Sequence, residues 1–171
     1  TALALACVFA TPAAAQGQME GILEEIVVTA QRREERLEDV PISVSAIAGE
    51  RVNEYVSGGQ DIRALDARVP GLNIETSNGR TQPRFYLRGL GNIDFDVNAN
   101  QPVAMVFDEV SLENNVLRSV PLFDIERVEV LKGPQGSLFG RNTNAGAIKI
   151  DSVKPTSSER DGYVRLGYGS R

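Results

Sequence analysis

The sequence predicts a small mixed α/β domain, α+β in its organisation, with a short mixed sheet and a few short helices. Three observations carry that expectation. Short runs with an apolar period of two, such as "ISVSAI", "RFYLRG" and "AGAIKI", recur along residues 42–150 and read as strands. Stretches of helical spacing separate some of them. Glycine and proline fall at the joints, where a compact fold of many short elements needs sharp turns.

The elements follow in order. "TALALACVFATPAAAQ" is apolar, too short to span a bilayer, and ends in Ala13-Ala14-Ala15, the small-residue pattern of a signal cleavage site; residues 1–15 are expected to be a signal-peptide remnant. It holds the only cysteine, Cys7, so a cleaved chain needs no disulfide. Residues 16–38 read as a flexible lead, with the β-branched "IVVTA" between polar "QGQMEGILEE" and charged "QRREERLED". Five apolar residues cannot fold alone. They can add to a sheet edge, either of another protein or as the first strand of this one.

The domain itself is expected over residues 39–155. "ISVSAI" is a strand, "GERVNEYV" a short helix with Val52 and Val56 on one face, and "GGQDIRALDARVPG" a second helix stopped by Pro70-Gly71. "LNIET" and "RFYLRG" are strands joined by the turn "SNGRTQP", with Phe85 and Leu87 opposite Arg84, Tyr86 and Arg88. "PVAMVF" is nearly all apolar, as a buried strand requires. "PLFDIERVEVLKG" predicts a turn of helix and then a strand in which Val128 and Val130 share a face. Gly136 and Gly140 bracket one helical turn, and "AGAIKI" supplies the last strand. Residues 156–171 depart from this pattern. "GYVRLGYGSR" alternates Val164, Leu166 and Tyr168 with Tyr163, Arg165 and Gly167, which suits a transmembrane β-strand or an ordinary edge strand.

Composition narrows the chemistry. A formal charge of −5 argues against a nucleic-acid partner. The absence of His removes the usual neutral-pH base and the commonest metal ligand. The Gly-rich connector after Lys132 is no P-loop, because Gly140 is followed by Arg141-Asn142. Gly89-Leu90-Gly91 lacks the third glycine of a dinucleotide fingerprint, with Asp94 in its place. Asp94, Asp96, Asn98 and Asn100 alternate like a calcium loop but lack its glycine and terminal Glu. The pairs Asp108-Glu109 and Asp94/Asp96 read as solvated loop charges. No enzyme, cofactor or metal is expected.

Taken together, the motifs resemble the plug domain of TonB-dependent outer-membrane receptors. "EEIVVTA" resembles their TonB box. "VPISVSAIAGERV", "VPGLNI", "FYLRGLG", "VAMVFDEV", "IERVEVLKGPQGSLFGRNTNAGAIKI" and "KP" follow in the order of the plug signatures, covering Glu24 to Pro155. "FDEV" departs from the family, which usually has an Asp-Gly turn where this chain has Glu109. Lys132 stands where Arg is frequent.

The resemblance implies several things. The chain would be the plug of a siderophore-receptor-like transporter of the cell outer membrane, importing a ferric siderophore or similar nutrient. Residues 156–171 would begin its own C-terminal β-barrel, making the chain a fragment of a longer protein. TonB, driven by the ExbB–ExbD motor, would bind Glu25, Ile26, Val27, Val28, Thr29 and Ala30 from the periplasm. The polar loops 77–82, 92–101 and 112–118 would face outward, with Asn78, Arg80, Asp94, Phe95, Asp96, Asn98, Asn114 and Asn115 toward the nutrient. Arg88 and Lys132 would meet barrel carboxylates. The alternative is a stand-alone periplasmic ligand-binding module without a barrel.

Overall fold

The computed structural model describes residues 26–56, 61–66, 68–77, 79–94, 96, 98–156, 162 and 164. The expected signal remnant, most of the expected barrel strand, and Glu25, Asn78 and Phe95 lie outside the described residues.

Two residues, β1 (Val27–Val28), pair antiparallel with β2 (Glu35–Arg36). After β3 (Ser43–Ala48) come α1 (Glu50–Val56), β4 (Leu72–Glu75), β5 (Arg84–Leu87), β6 (Val103–Phe107) and β7 (Val110–Ser111). The chain closes with β8 (Ile125–Lys132), the single turn α2 (Gly136–Phe139) and β9 (Gly146–Ser152). Five strands form a mixed sheet in the order β3-β8-β9-β6-β7, in which only β6 and β9 are parallel. β4 and β5 form a separate hairpin.

Strand alternation sends two different sets of side chains to the two faces of this sheet. One face carries Ile47, Val103, Met105, Val128, Val130, Ile148 and Ile150. It packs against Val52 of α1, Ile62 and Leu65, and Phe85 and Leu87 of β5 in the main core. The other face carries Ala46, Ala104, Val106, Leu131 and Ala147, and it is covered by Val28, Ala30, Val40 and Phe139. The small side chains of Ala46, Ala104 and Ala147 let the covering backbone come close.

At Gly146, β9 leaves no room for a side chain beside β8: a β-carbon there would lie 2.1 Å from the Leu131 carbonyl oxygen, and its φ of 148° favours glycine.

Three elements differ from the sequence reading. Ile62–Leu65 is a 3₁₀ turn rather than a full helix. Asp61 accepts the Arg63 N–H, and the Asp66 carboxylate turns away to accept the Ile74 N–H at 3.0 Å, tying the chain to β4 instead of extending the helix. The helical turn expected near Pro121 occurs earlier, at Asn115–Arg118, where Asn114 accepts the Val116 N–H; Pro121 instead bridges to Asp61. Finally, the described part of the expected flexible lead is docked. Val28 and Ala30 are fully buried, because they close the second face of the sheet.

Candidate functional site

Residues 26–38, the described part of the lead segment, cross a sheet face whose polar residues are as buried as its apolar ones. On β8, Arg127 and Glu129 alternate with Val128 and Val130; on β9, Lys149 and Asp151 alternate with Ile148 and Ile150. Glu129 is 0% and Lys149 1% exposed, values that charged side chains reach only with partners. Here the partners are one another and Thr29. The Thr29 N–H donates to Glu129 Oε1 at 2.7 Å. Its hydroxyl accepts from Lys149 Nζ at 2.6 Å, with Glu129 Oε1 and Asp151 Oδ2 at 3.3 and 3.4 Å to take its own proton. Lys149 Nζ reaches both Asp151 oxygens at 2.8 and 2.9 Å and Glu109 at 2.9 Å. Arg127 Nε lies 2.9 Å from Asp151 and 3.3 Å from Glu129.

The electrostatics match this wiring. Burial raises the Glu129 pKa, and the Thr29 N–H and the Lys149 and Arg127 charges only partly offset it. Burial also works on Asp151, but hydrogen bonds from Lys149 and Arg127 outweigh it and hold that carboxyl below the ordinary range. Burial disfavours the Lys149 ammonium, yet Asp151 and Glu109 outweigh it and raise its pKa. Lys149 and Asp151 are thus held in their charged forms beside Thr29, whereas burial favours the neutral form of Glu129.

Other contacts seat the rest of the lead. The Leu37 N–H donates to the Ile26 carbonyl at 3.0 Å, and the Arg32 N–H to the Thr29 carbonyl at 2.8 Å. Both backbone polar groups of Thr29 are thus used within the domain. Arg32 lies over the Phe139 ring at 5.4 Å, a cation–π contact.

The three polar loops are contiguous. Arg84, expected on the solvent side of β5, is 7% exposed because it ties two of them together, donating to the Ile93 carbonyl and to Ser77 Oγ. Ser119 Oγ donates to the Arg80 carbonyl at 2.7 Å, and Asn115 Nδ2 to the Asp96 carbonyl at 3.4 Å. Arg80, Asp94, Asp96, Asn98 and Asn114 are exposed, whereas Asn115 is buried. Asn115 follows its Asn114 cap and faces inward, so it holds the loops together rather than presenting itself outward. The side chains of Asn92, Asp94 and Asp96 each accept the N–H two residues on, at 2.9, 3.0 and 2.8 Å, which spends oxygens that the sequence pattern offered as ligands.

Two further features shape this end. Arg118 is 1% exposed and donates to the carbonyls of Leu112, Val103 and Glu113; burial brings its pKa down to about 10. A cleft of about 250 Å³ is lined by Asn92, Asn100, Gln101, Asn142 and Asn144, with Gly91 and Pro102. Gln101 is 1% exposed, and neither its side-chain nitrogen nor its oxygen has a hydrogen-bond partner among the described residues.

Arg88 is exposed and Lys132 partly so. Burial and the like charge of Arg88 both lower the Lys132 pKa, and among the described residues no carboxylate forms an ion pair with either cation.

The sequence reading missed the charged cluster under the lead. The signal was present: Arg127 and Glu129 alternate with Val128 and Val130 on one strand, and Lys149 and Asp151 with Ile148 and Ile150 on the other. That pattern ordinarily marks a solvated face.

The model of the TonB-dependent Receptor Plug Domain family matches residues 36–147. The vitamin B12 transporter BtuB of Vibrio vulnificus is 33% identical over 152 residues, covering 86% of this chain and 23% of that protein. The pesticin receptor of Yersinia pestis is 32% identical over 149 residues, covering 85% and 21%. The crystal structure of the ferric yersiniabactin uptake receptor FyuA from Yersinia pestis superposes with a TM-score of 0.60 at 27% identity, over 68% of this chain and 18% of FyuA. The chain thus spans about a fifth of the length of these relatives. With the family match covering most of the ordered sheet, the chain belongs to the plug domains of TonB-dependent receptors, a family of the bacterial outer membrane.

Proposed function

We propose that this chain gates an outer-membrane active transporter, with the lead segment as the handle by which TonB, powered by ExbB–ExbD, acts on it. The observation that carries this reading is a short strand at the head of a plug domain, docked on the sheet through Val28, Ala30 and Thr29. TonB would pair with Glu25–Ala30 as an added strand, so main-chain hydrogen bonds supply the affinity. Ligand would rest on the contiguous loops 77–82, 92–101 and 112–118. The Asn- and Gln-lined cleft beside them, where the Gln101 side chain has no hydrogen-bond partner among the described residues, supports that placement. Relatives described as a B12 transporter and as a ferric yersiniabactin receptor support a small nutrient, such as a ferric siderophore, as cargo. Arg88 and Lys132 would find their carboxylates on a barrel that residues 156–171 begin.

The test is energy-dependent uptake by the intact receptor, together with its binding of the TonB C-terminal domain. Val28→Pro removes a ladder donor and should abolish both, whereas Val28→Ala should keep most of each. Equal behaviour of the two variants would reject strand pairing.

A further inference from the structure

The turn between β6 and β7 is unusual. Asp108 and Glu109 have φ values of 45° and 68°, two successive left-handed residues at positions where such a turn favours Asn-Gly. A β-carbon in that conformation is costly, so each residue needs a compensating contact. Asp108 has one: its carboxylate accepts the Ser152 N–H and hydroxyl, both at 2.8 Å, and pins the turn to the end of β9. Nothing in the turn itself calls for a carboxylate at 109.

The Glu109 side chain is 54% exposed, yet its carboxylate reaches Lys149 Nζ, whose side chain is 1% exposed, at 2.9 Å. An ammonium has three N–H groups. Those of Lys149 go to Glu109, Asp151 and Thr29 Oγ1. Glu109 thereby fixes the ammonium from its solvent side and leaves one N–H directed at the lead. Without it, Lys149 could turn toward Asp151 or toward water at the mouth of the cluster, and Thr29 would lose its oriented donor.

We propose that Glu109 is a positioning residue that sets how firmly the lead segment is held, acting on Thr29 through Lys149. The proposal rests on the lead being the handle, and it adds a tuning element at a position where glycine would relieve strain.

The experiment is hydrogen–deuterium exchange on the intact receptor in detergent micelles, comparing wild type with Glu109→Gly and Glu109→Gln. Glycine removes both strain and carboxylate; glutamine keeps the strain and removes the charge. In both variants the amides of residues 26–30 should exchange about 5- to 30-fold faster while β8 and β9 keep their protection. Thermal unfolding of Glu109→Gly should occur at an unchanged or higher temperature, which a merely structural role for Glu109 would not give. Unchanged exchange in both variants overturns the proposal, and so does a change in Glu109→Gly alone, which would assign the effect to turn geometry. Binding of the TonB C-terminal domain is measured separately on the same samples. Its absence in wild type would reject the handle reading and leave the exchange result to decide on Glu109.

Discussion

The two faces of the five-stranded sheet are both closed to water, but by different chemistry. One presents Val103, Met105, Val128, Val130, Ile148 and Ile150 to a permanent apolar core. The other presents alanines, Val106 and Leu131 together with Arg127, Glu129, Lys149 and Asp151, and its cover is the lead segment with Val40 and Phe139. Apolar contact is non-directional, and separating it exposes surface that water cannot satisfy. A charged, hydrogen-bonded seam can part at lower net cost, because water replaces each bond that is lost. On the function proposed above, the same strands would carry a face that stays closed and a face that can open.

The sharpest test of that contrast is a cavity on the permanent face. Ile148→Ala should lower global stability by about 2–5 kcal/mol, read as a shift of the denaturant midpoint. A smaller effect than any substitution in the lead would erase the distinction. Next in size is Thr29→Val, which removes the hydroxyl that Lys149 and the carboxylates share. It should weaken docking of residues 26–30 by about 1 kcal/mol, seen as faster amide exchange there, while the global midpoint hardly moves. Loss of global stability equal to that of Ile148→Ala would show the lead to be ordinary core.

The smallest effect concerns pH. Glu129 has a raised pKa, so its contribution is present below the ordinary Glu value and is lost as pH rises through its folded value. Asp151 has a lowered pKa, so its contribution is present above the ordinary Asp value and is lost as pH falls through its folded value. On acidification, carboxyl resonances should show Glu129 protonating well before Asp151, with a wider gap than between unperturbed Glu and Asp. Coincident titration would mean that the cluster is wetter than its burial indicates.

Much of this fold was legible in the sequence. The period-two runs located β3, β4, β5, β8 and β9, the unbroken apolar run located β6, and Val52 with Val56 marked α1. The 3₁₀ turn at Ile62–Leu65 was hidden because Asp61 and Asp66 divert the backbone through side-chain hydrogen bonds that spacing does not encode. The site was less legible for a related reason. Alternation tells which side of a strand Glu129, Lys149 and Asp151 occupy, but not what lies over that side. Nor could it show that Asn115 faces inward, which depends on Asp96, 19 residues away.

The charges beneath the lead also bear on what happens while that cover is away. A bare sheet face of valine and isoleucine would be sticky, inviting neighbouring chains to stack on it. One that sets Arg127, Glu129, Lys149 and Asp151 beside its alanines, Val106 and Leu131 hydrates more readily and offers a smaller apolar patch. A domain that released its lead as proposed would expose hydrated charge on that side rather than a continuous apolar surface.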